Sequence, residues 1–407
     1  MLLSLAGTAG APTPSSKATR RDVIMMVADD MRPDTACTSV MGTTSADMHT
    51  PHICALADES LTLSRFHVAF AECAPSRASI LTSRQPHTTH VWNLHSYWRQ
   101  EGGNFTTLPQ YFKEQGYITK GIGKIFHWGP ASGKHPLPES GLNAVYFPNN
   151  ATRALFRGEF DADYSWTEEY FAPDGIHDDI DGDAVQPIPE KGPDGTKSKP
   201  LADELSLAHA VETLQQIQKA RSEGADSRNF FLAVGWIRPH LPYRFPERFL
   251  QHYDADKLEL PPSWDKLPAG MPAQAYYKSS ETREWRDIVG LDVDYRRYQN
   301  GTFLPDGLQG LFMGPVKTRQ LRQGYYASIS YVDWCVGELL REAKKVDGYD
   351  DAVVVFMSDH GYQLGEFGLW DKETNFAMAT NAPFMIRVPG MYIYIYIYIF
   401  LFSFFLN

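Results

Sequence analysis

Four apolar segments of this chain each end in polar, reactive residues, and that repeated pattern limits the folds available to it. The segments are residues 23–28, 117–123, 230–234 and 352–357. Short apolar runs rich in β-branched residues are typical of strands buried in a parallel sheet. Stretches with helical spacing alternate with them, so the sequence predicts an α/β fold in which a mainly parallel sheet is sandwiched by helices.

The polar residues at the ends of these segments are the candidate functional residues. They are Asp29 and Asp30 after the first segment, Lys124 and His127 after the second, His240 beyond the third, and Asp359 and His360 after the fourth. In open α/β sheets, ligands bind at the edge where the carboxyl ends of the strands meet. We therefore expect these residues to converge on one crevice. Paired carboxylates beside a buried strand suit a divalent cation, and the alternative is a pair of solvated turn residues.

Helical spacing is expected in four stretches, and two long parts of the chain lack regular patterns. Residues 130–200 are rich in Pro, Gly and Asp and are predicted to form an extended surface insertion, and residues 260–316 are also irregular. The predicted helices are residues 50–60, 108–117 with Gly116 as C-cap, 201–221 and 319–345. The third helix is expected to bury one apolar face, formed by Leu205, Ala208, Val211, Leu214 and Ile217.

Cys73 opens a segment of a different kind. It is followed by Ala-Pro-Ser and Arg77, and then by a helix-like run to residue 84. A helix N-terminus and a nearby guanidinium both lower a thiol pKa, so Cys73 could be a plain nucleophile. A lone pattern of this length is more often structural than catalytic, so the interpretation depends on the rest of the chain.

Composition and targeting signals indicate which classes of partner and which cellular compartment to expect. The net charge of −11 over 407 residues argues against a nucleic-acid partner, which needs clustered cations. Four cysteines are too few for a disulfide scaffold and do not fix the compartment. Sequons at Asn104, Asn150 and Asn300 favour a secreted glycoprotein. Residues 1–21 are predicted to be disordered or a residual signal segment.

One acidic stretch invites a metal-binding interpretation that we do not favour. Residues 178–183 contain four aspartates, but they lack the spaced glutamate of an EF-hand loop. We predict a solvated acidic loop there.

Residues 22–390 resemble the type I sulfatase family. Six stretches carry the resemblance: residues 27–33, 73–77, 96–99, 123–127, 231–240 and 358–372. The resemblance implies an alkaline-phosphatase-like sulfatase fold. It also implies that a formylglycine-generating enzyme oxidises Cys73 to formylglycine, and that Asp29, Asp30, Asp359 and His360 hold a calcium ion whose shell this residue completes. Many sulfatases have asparagine at the position of His360, whereas one branch of the family has histidine.

The family chemistry assigns roles to the remaining site residues. The resemblance implies that Arg77, Lys124 and Lys372 neutralise the sulfate ester while the hydrated aldehyde attacks sulfur. His240 would protonate the leaving alcohol, and His127 would help to deprotonate the second hydroxyl. The expected substrate is a sulfated glycan, uronate-containing or related, in the lysosome or outside the cell. The residues expected to contact the sugar are His95, Tyr97, Trp98 and Tyr362, although Tyr97 and Trp98 could equally be ordinary packing residues.

The resemblance stops at about residue 390, where the family continues into a smaller C-terminal subdomain. We expect that subdomain to be missing and residues 391–407 to be an aberrant low-complexity apolar tail. Its Tyr-Ile alternation is what a TA-dinucleotide repeat would encode. A membrane anchor is the rival interpretation, but about 17 apolar residues is the short limit for a span, so no membrane partner is expected.

Two other functions therefore remain open alongside a sulfatase. One is a phosphoester or phosphonate hydrolase of the same fold. The other is an inactive truncated product that folds poorly or only binds sulfated glycans. The Cys73–Arg77 segment and the single-cation set of carboxylates favour sulfate chemistry.

Overall fold

The computed structural model of the protein describes residues 20–38, 48–133, 160–173, 182–265, 271, 272, 275, 277, 279–283, 285–289 and 313–390. Several predictions fall wholly or mostly outside these residues. They concern residues 1–19, the sequons at Asn150 and Asn300, the acidic stretch 178–181 and the tail 391–407, and they stay predictions.

A six-stranded sheet forms the centre of the molecule, with the strand order β2-β10-β7-β1-β5-β3. Strands β1, β3, β5 and β7 run parallel, and β10 pairs antiparallel with both β7 and β2. The predicted α/β fold with a mainly parallel sheet is thus confirmed. The strands are β1 Val23–Asp29, β2 Leu61–Thr62, β3 Ile118–Gly123, β4 Val185–Ile188, β5 Phe230–Pro239, β6 Tyr243–Pro246, β7 Val353–Ser358, β8 Gln363–Leu364, β9 Trp370–Asp371 and β10 Phe384–Arg387.

Helices cover both faces of this sheet. Helices α1, α7 and α10 pack into one hydrophobic cluster, and α2 and α5 pack into the other. Short 3-10 helices at residues 129–132, 247–252, 255–257, 349–351 and 366–368 connect the elements. The α-helices are α1 Pro51–Asp58, α2 Cys73–Thr82, α3 Pro86–Thr89, α4 Trp98–Glu101, α5 Leu108–Glu114, α6 Ala162–Ser165, α7 Ala202–Ser222, α8 Ser280–Arg283, α9 Arg286–Val289, α10 Pro315–Ala343 and α11 Ala377–Thr380.

Strand β1 shows why the sheet has two buried faces. Ile24, Met26 and Ala28 belong to one hydrophobic cluster, whereas the alternate residues Val23 and Met25 belong to the other. Side chains alternate between the two faces of a strand, so only an apolar run without polar alternation can fill both cores. The same reasoning explains the unbroken apolar character of the other central strands.

Several element predictions need correction. β5 continues five residues beyond the predicted end, because residues 235–239 keep pairing with β1 and β3. α10 begins at Pro315, four residues before the predicted start. The segment 319–345 contains arginine and glutamine in its first turns, which obscured the beginning of the apolar face.

The predicted face of α7 is correct only in part, because Leu214 is buried and Val211 and Ile217 pack against the core, but other positions differ. The buried residues include Ser206, Leu207, Ala210 and Leu214, and Ala208 is exposed. Small polar residues fit against β3 and β5, so burial does not follow hydrophobicity along this helix. Nor is the segment 130–200 wholly a surface insertion, because Phe160 and Trp166 are buried in a core cluster and β4 pairs with β6.

A disulfide joins Cys37 to Cys54, the second of which lies in α1. Cys73 and Cys335 are free and buried. The disulfide ties the loop that follows β1 to the first helix, a pairing that the cysteine count did not reveal. Among the described residues, none of the helices combines the length and the apolarity needed to span a bilayer.

Candidate active site

The predicted residues meet at the carboxyl edge of the sheet. Asp29 is the last residue of β1 and Asp30 follows it, Lys124 follows β3, His240 follows β5, and Asp359 and His360 follow β7. Because β1 lies between β5 and β7, these strand ends lie side by side. The convergence predicted from the sequence is therefore present in the fold.

Cys73 is the first residue of α2, and it lies in the middle of this group. Its Sγ lies 3.3 Å from His360 Nε2, 3.5 Å from Asp29 Oδ1 and 3.8 Å from Lys124 Nζ. Burial, reinforced by the charge of Asp29, raises the pKa of the thiol well above its ordinary value. The expectation that the helix N-terminus and a guanidinium lower this pKa is wrong, because burial, together with the nearby carboxylate of Asp29, outweighs the positive groups.

Arg77, one turn along α2, binds the ends of three strands. Its Nε donates to Asp359 Oδ2 at 2.8 Å, and one terminal nitrogen lies 3.3 Å from Asp29 Oδ1. The other terminal nitrogen donates to the backbone carbonyls of Lys124 and, at 3.1 Å, of Ile125. Burial by itself would lower the pKa of Arg77, but Asp359 and Asp29 raise it above its ordinary value.

Lys124 is positioned by a close approach of β3 and β5. Gly123 has φ of 74°, and a Cβ on it or on Gly235 would collide with the neighbouring backbone. Lys124 N donates to Gly235 O at 3.0 Å, and its ammonium contacts Asp29 Oδ2 and lies 4.0 Å from the centroid of the Trp128 ring. Both glycines are thus needed for the ammonium to reach Asp29.

The pKa values of the Asp29 and Asp30 carboxyl groups are shifted in opposite directions. Burial would raise the pKa of Asp29, but Lys124 and Arg77 outweigh it and hold that pKa well below its ordinary value. Burial raises the pKa of Asp30, and Asp29 adds to the rise although Lys372 opposes it. A site with this many carboxylates therefore calls for additional positive charge next to Asp30.

His360 has the orientation of a metal ligand. Its Nδ1 lies 2.9 Å from Gly361 O, so Nδ1 carries the hydrogen and Nε2 presents a lone pair. That Nε2 lies 3.5 Å from Asp30 Oδ1 and 3.5 Å from Asp359 Oδ2. Acceptors facing each other at this distance are stable only around a proton or a cation.

The donor set fits a divalent cation. Ligand atoms of Asp29, Asp30, Cys73 and His360 lie within 4.8 Å of one another, and all four residues are buried. Asp30 Oδ1 is a buried oxygen that accepts no hydrogen bond within the described part of the chain. Asp359 Oδ1 accepts from the backbone N–H of Asp30 and His360, at 3.2 and 3.0 Å, so this predicted ligand also orients the two loops.

Lys372 and Glu281 flank the donor set. Lys372 Nζ lies 3.1 Å from Asp30 Oδ2 and 2.6 Å from Glu281 Oε2. Burial would lower the pKa of Lys372, but Asp30 and Glu281 raise it well above its ordinary value. The sequence analysis missed Glu281, because it lies in the irregular stretch 260–316 and follows no predicted strand.

The two candidate proton-transfer histidines lie near charged residues of the group. His240 Nε2 lies 4.0 Å from Asp30 Oδ2, and its Nδ1 lies 2.6 Å from Leu241 O. His127 Nδ1 lies 2.8 Å from Trp128 O. Burial, together with nearby lysine ammonium groups, lowers the pKa of both histidines well below the ordinary value, so both rings are neutral at pH 7.

The predicted sugar-contacting residues differ in their exposure to solvent. Tyr97 and Trp98 are buried, where Tyr97 OH donates to Asp161 at 2.5 Å and Trp98 stacks on Phe126. Tyr362 is also buried, and its hydroxyl donates to Asp371 Oδ1 at 3.2 Å. His95 is half-buried, and burial lowers its pKa. Packing thus accounts for the tyrosines and the tryptophan, and their contact with a substrate stays a prediction.

Comparisons with known proteins identify related chains. A family model described as Sulfatase matches residues 21–392. Human iduronate 2-sulfatase is 33% identical over 374 residues, which cover 91% of this chain and 60% of the human protein. The chain thus spans about 60% of the length of this curated relative.

Solved structures with lower identity share the fold. The phosphonate monoester hydrolase of Agrobacterium radiobacter matches with a TM-score of 0.57 and 21% identity, over 91% of this chain and 68% of its own. A protein in complex with its substrate D-glucosamine-2-N,6-O-disulfate matches with a TM-score of 0.60 and 21% identity, over 91% of this chain and 71% of its own. At these identities the likeness establishes the architecture alone.

Proposed function

Because the chain belongs to the sulfatase family, we propose that it hydrolyses sulfate esters, using a formylglycine made from Cys73 and a calcium ion beside it. The observation that carries the proposal is the buried group of Asp29, Asp30, Cys73 and His360, whose ligand atoms lie within 4.8 Å of one another. The thiol of Cys73 occupies the place where the formylglycine oxygens would lie.

We assign the cation to Asp29, Asp30, Asp359 and His360, with the modified Cys73 completing the shell. Such a cation would polarise the ester oxygens, and the hydrated aldehyde would supply the attacking oxygen. The buried Asp30 Oδ1 and the lone pair of His360 Nε2 are the two groups that most need a positive partner.

Three positive side chains of the protein would orient the site and neutralise the ester. Arg77, Lys124 and Lys372 surround Cys73, and each is less than 3% exposed. Buried positive groups that are already oriented stabilise developing negative charge without reorganisation of solvent. Arg77 is committed to carboxylates and backbone carbonyls, so we assign it to orientation of the site and assign Lys124 and Lys372 to the ester oxygens.

His240 and His127 would transfer protons. We retain His240 as the acid for the leaving alcohol and His127 as the base. Lys372 is one cause of the low pKa of His240. An anionic ester bound to Lys372 would offset that ammonium charge and make a protonated His240 easier to form.

The substrate and compartment proposals draw on different observations. We propose a sulfated, uronate-containing or related glycan because of the 33% identity with iduronate 2-sulfatase. A disulfide between Cys37 and Cys54 and an exposed Asn104 sequon favour the secretory pathway, with a lysosomal or extracellular destination. Partners would then be the glycan and a formylglycine-generating enzyme.

Mass spectrometry and enzyme assays test this function together. The protein should be produced with and without a formylglycine-generating enzyme, and the mass of the peptide containing Cys73 should be measured. We expect hydrolysis of an aryl sulfate and of a sulfated uronate disaccharide only where formylglycine is found, and none in Cys73→Ser. Activity with unmodified thiol alone would refute the formylglycine proposal, and cleavage of phosphate but not sulfate esters would refute the assigned reaction.

A further inference from the structure

The backbone at Asp30 adopts an unfavourable conformation. Its φ is 63°, in the left-handed region that residues with a Cβ seldom occupy. Aspartate adopts this conformation more readily than most residues with a Cβ, but the conformation persists only where surrounding groups fix it. The conformation turns the chain immediately after β1, and it aims the Asp30 carboxylate at His360 and Lys372.

Two buried hydroxyl groups fix this turn. Tyr325 OH donates to Asp30 O at 2.7 Å and accepts from Arg32 N at 3.0 Å. Ser358 Oγ accepts from Met31 N at 2.9 Å. Three consecutive residues of the turn are thus held by side chains from α10 and β7.

The Tyr325 ring is itself held firmly. It is fully buried near the middle of α10, stacks on Tyr362 with ring centroids 5.3 Å apart, and meets Tyr243 edge-on at 5.7 Å. Tyr362 OH in turn donates to Asp371, the neighbour of Lys372. A hydroxyl on so constrained a ring can impose a conformation on the backbone that it binds.

We propose that the Tyr325 hydroxyl, assisted by Ser358, holds the Asp30 turn in its left-handed conformation and thereby sets the affinity of the site for a divalent cation. The Tyr325 hydroxyl bonds the backbone carbonyl of Asp30 and not its carboxylate, so Tyr325 is a positioning residue. The inference rests on the proposed function, because that function places a cation at Asp30. Groups that orient metal ligands without binding the metal commonly change affinity when they are lost.

The test is a calcium titration of Tyr325→Phe by calorimetry, with the wild type alongside. Loss of one hydroxyl should weaken calcium binding by about 10- to 100-fold. Activity should recover when calcium is raised in proportion, which a general loss of folded protein would not produce. The matched control is Tyr331→Phe, an equally buried tyrosine on the same helix that makes none of the hydrogen bonds of the turn. That control should bind calcium like the wild type.

The possible results separate this inference from the proposed function. A wild type that binds no divalent cation would overturn both. Equal affinity in the wild type and Tyr325→Phe would overturn this inference alone, as would an equal loss in Tyr331→Phe. If Tyr325→Phe does not fold, Ser358→Ala decides, because it removes the other hydroxyl of the turn: weakened binding supports the inference and unchanged binding overturns it.

Discussion

Arg77 shows how a single side chain can hold several loops of a site together. Its Nε and one terminal nitrogen donate to Asp359 and to two backbone carbonyls, and its other terminal nitrogen forms an ion pair with Asp29; these groups lie at the ends of three different strands. A planar fork can satisfy such diverging acceptors at once, whereas a lysine presents a point charge on a flexible stem. Arg77 therefore acts as a clamp that holds these strand ends together, in addition to supplying a positive charge.

Arg77→Lys tests this role. The substitution keeps the positive charge but leaves buried carboxylate and carbonyl acceptors unpaired, so we expect a loss of about 3 kcal/mol or more in the free energy of unfolding. We also expect a fall in kcat of at least about 100-fold. Denaturant unfolding and steady-state kinetics measure the two effects. Arg84→Lys, an exposed arginine just beyond the same helix, should change neither; near-wild-type stability in Arg77→Lys would contradict the clamp.

The apolar strand pattern predicted the site residues at the ends of strands, and the Cys73–Arg77 motif predicted two more on a helix. Residues with neither signal were missed. Asp29, Lys124 and Asp359 could be found because an apolar run ends at each of them. Glu281 and Tyr325 carry no such signal. Glu281 lies in an irregular stretch, and helical periodicity indicates that Tyr325 is buried without indicating what its hydroxyl binds.

At the scale of elements, α1 depends on a carboxyl group from α10. The N-terminus of α1 lacks a side-chain cap from Thr50, and Asp333 accepts from Ile53 N at 2.7 Å and from His52 N at 3.3 Å instead. Burial raises the pKa of Asp333 to about 7, although the two N–H donors oppose the rise. The protonation of this carboxyl group therefore makes the contact between α1 and α10 depend on pH.

Stability should therefore fall as the pH rises through the range that Asp333 titrates. Its pKa is about 7 in the folded protein and 3.8 in the reference state, so between these values the folded state binds the extra proton. The contribution is largest at low pH and declines towards pH 7, with a slope of at most about 1.4 kcal/mol per pH unit. Asp333→Asn should remove this slope in unfolding experiments at pH 4–8, whereas Asp256→Asn on the surface should not. An unchanged slope in Asp333→Asn would contradict the assignment.

The Cys37–Cys54 disulfide should stabilise the loop after β1. The two cysteines are 17 positions apart in the sequence, and closing a loop of that size in the unfolded chain contributes about 3 kcal/mol. The double variant Cys37→Ser/Cys54→Ser should lose about that much stability. Reductant should destabilise the wild type similarly and leave the double variant unaffected. Equal sensitivity of both proteins to reductant would argue against the bond.

The sequence predicted the long, fully buried strands more accurately than the short or partly exposed ones. β1 and β7 are continuous apolar runs and were placed to within a residue. β2 and β10 are short and contain polar or exposed residues, so no apolar run in the sequence indicates them. β5 was predicted only to residue 234, because Gly235 and Arg238 interrupt the apolar run while the backbone continues to pair with its neighbours.

At the scale of the whole molecule, the candidate cation site joins segments far apart in the chain. Asp29 and Asp30 come from β1 and its loop, Cys73 from α2, and His360 from the loop after β7. The unfolded chain does not hold these groups together. A cation that binds only the folded arrangement must therefore stabilise the entire fold by mass action.

Calcium should consequently raise the melting temperature of the protein. At a free concentration of 100 times the dissociation constant the gain is about 2.7 kcal/mol, and it should grow with the logarithm of concentration. Asp29→Asn removes one charged ligand, so its melting temperature should respond much less. Asp371→Asn is the matched control, because Asp371 is equally buried but bonds Thr282 and Tyr362 instead of the donor set, and it should keep the calcium response. Thermal unfolding with calcium at constant ionic strength distinguishes these cases. A wild type that does not respond, or an Asp29→Asn variant that responds fully, would mean that this carboxylate cluster is not the calcium site.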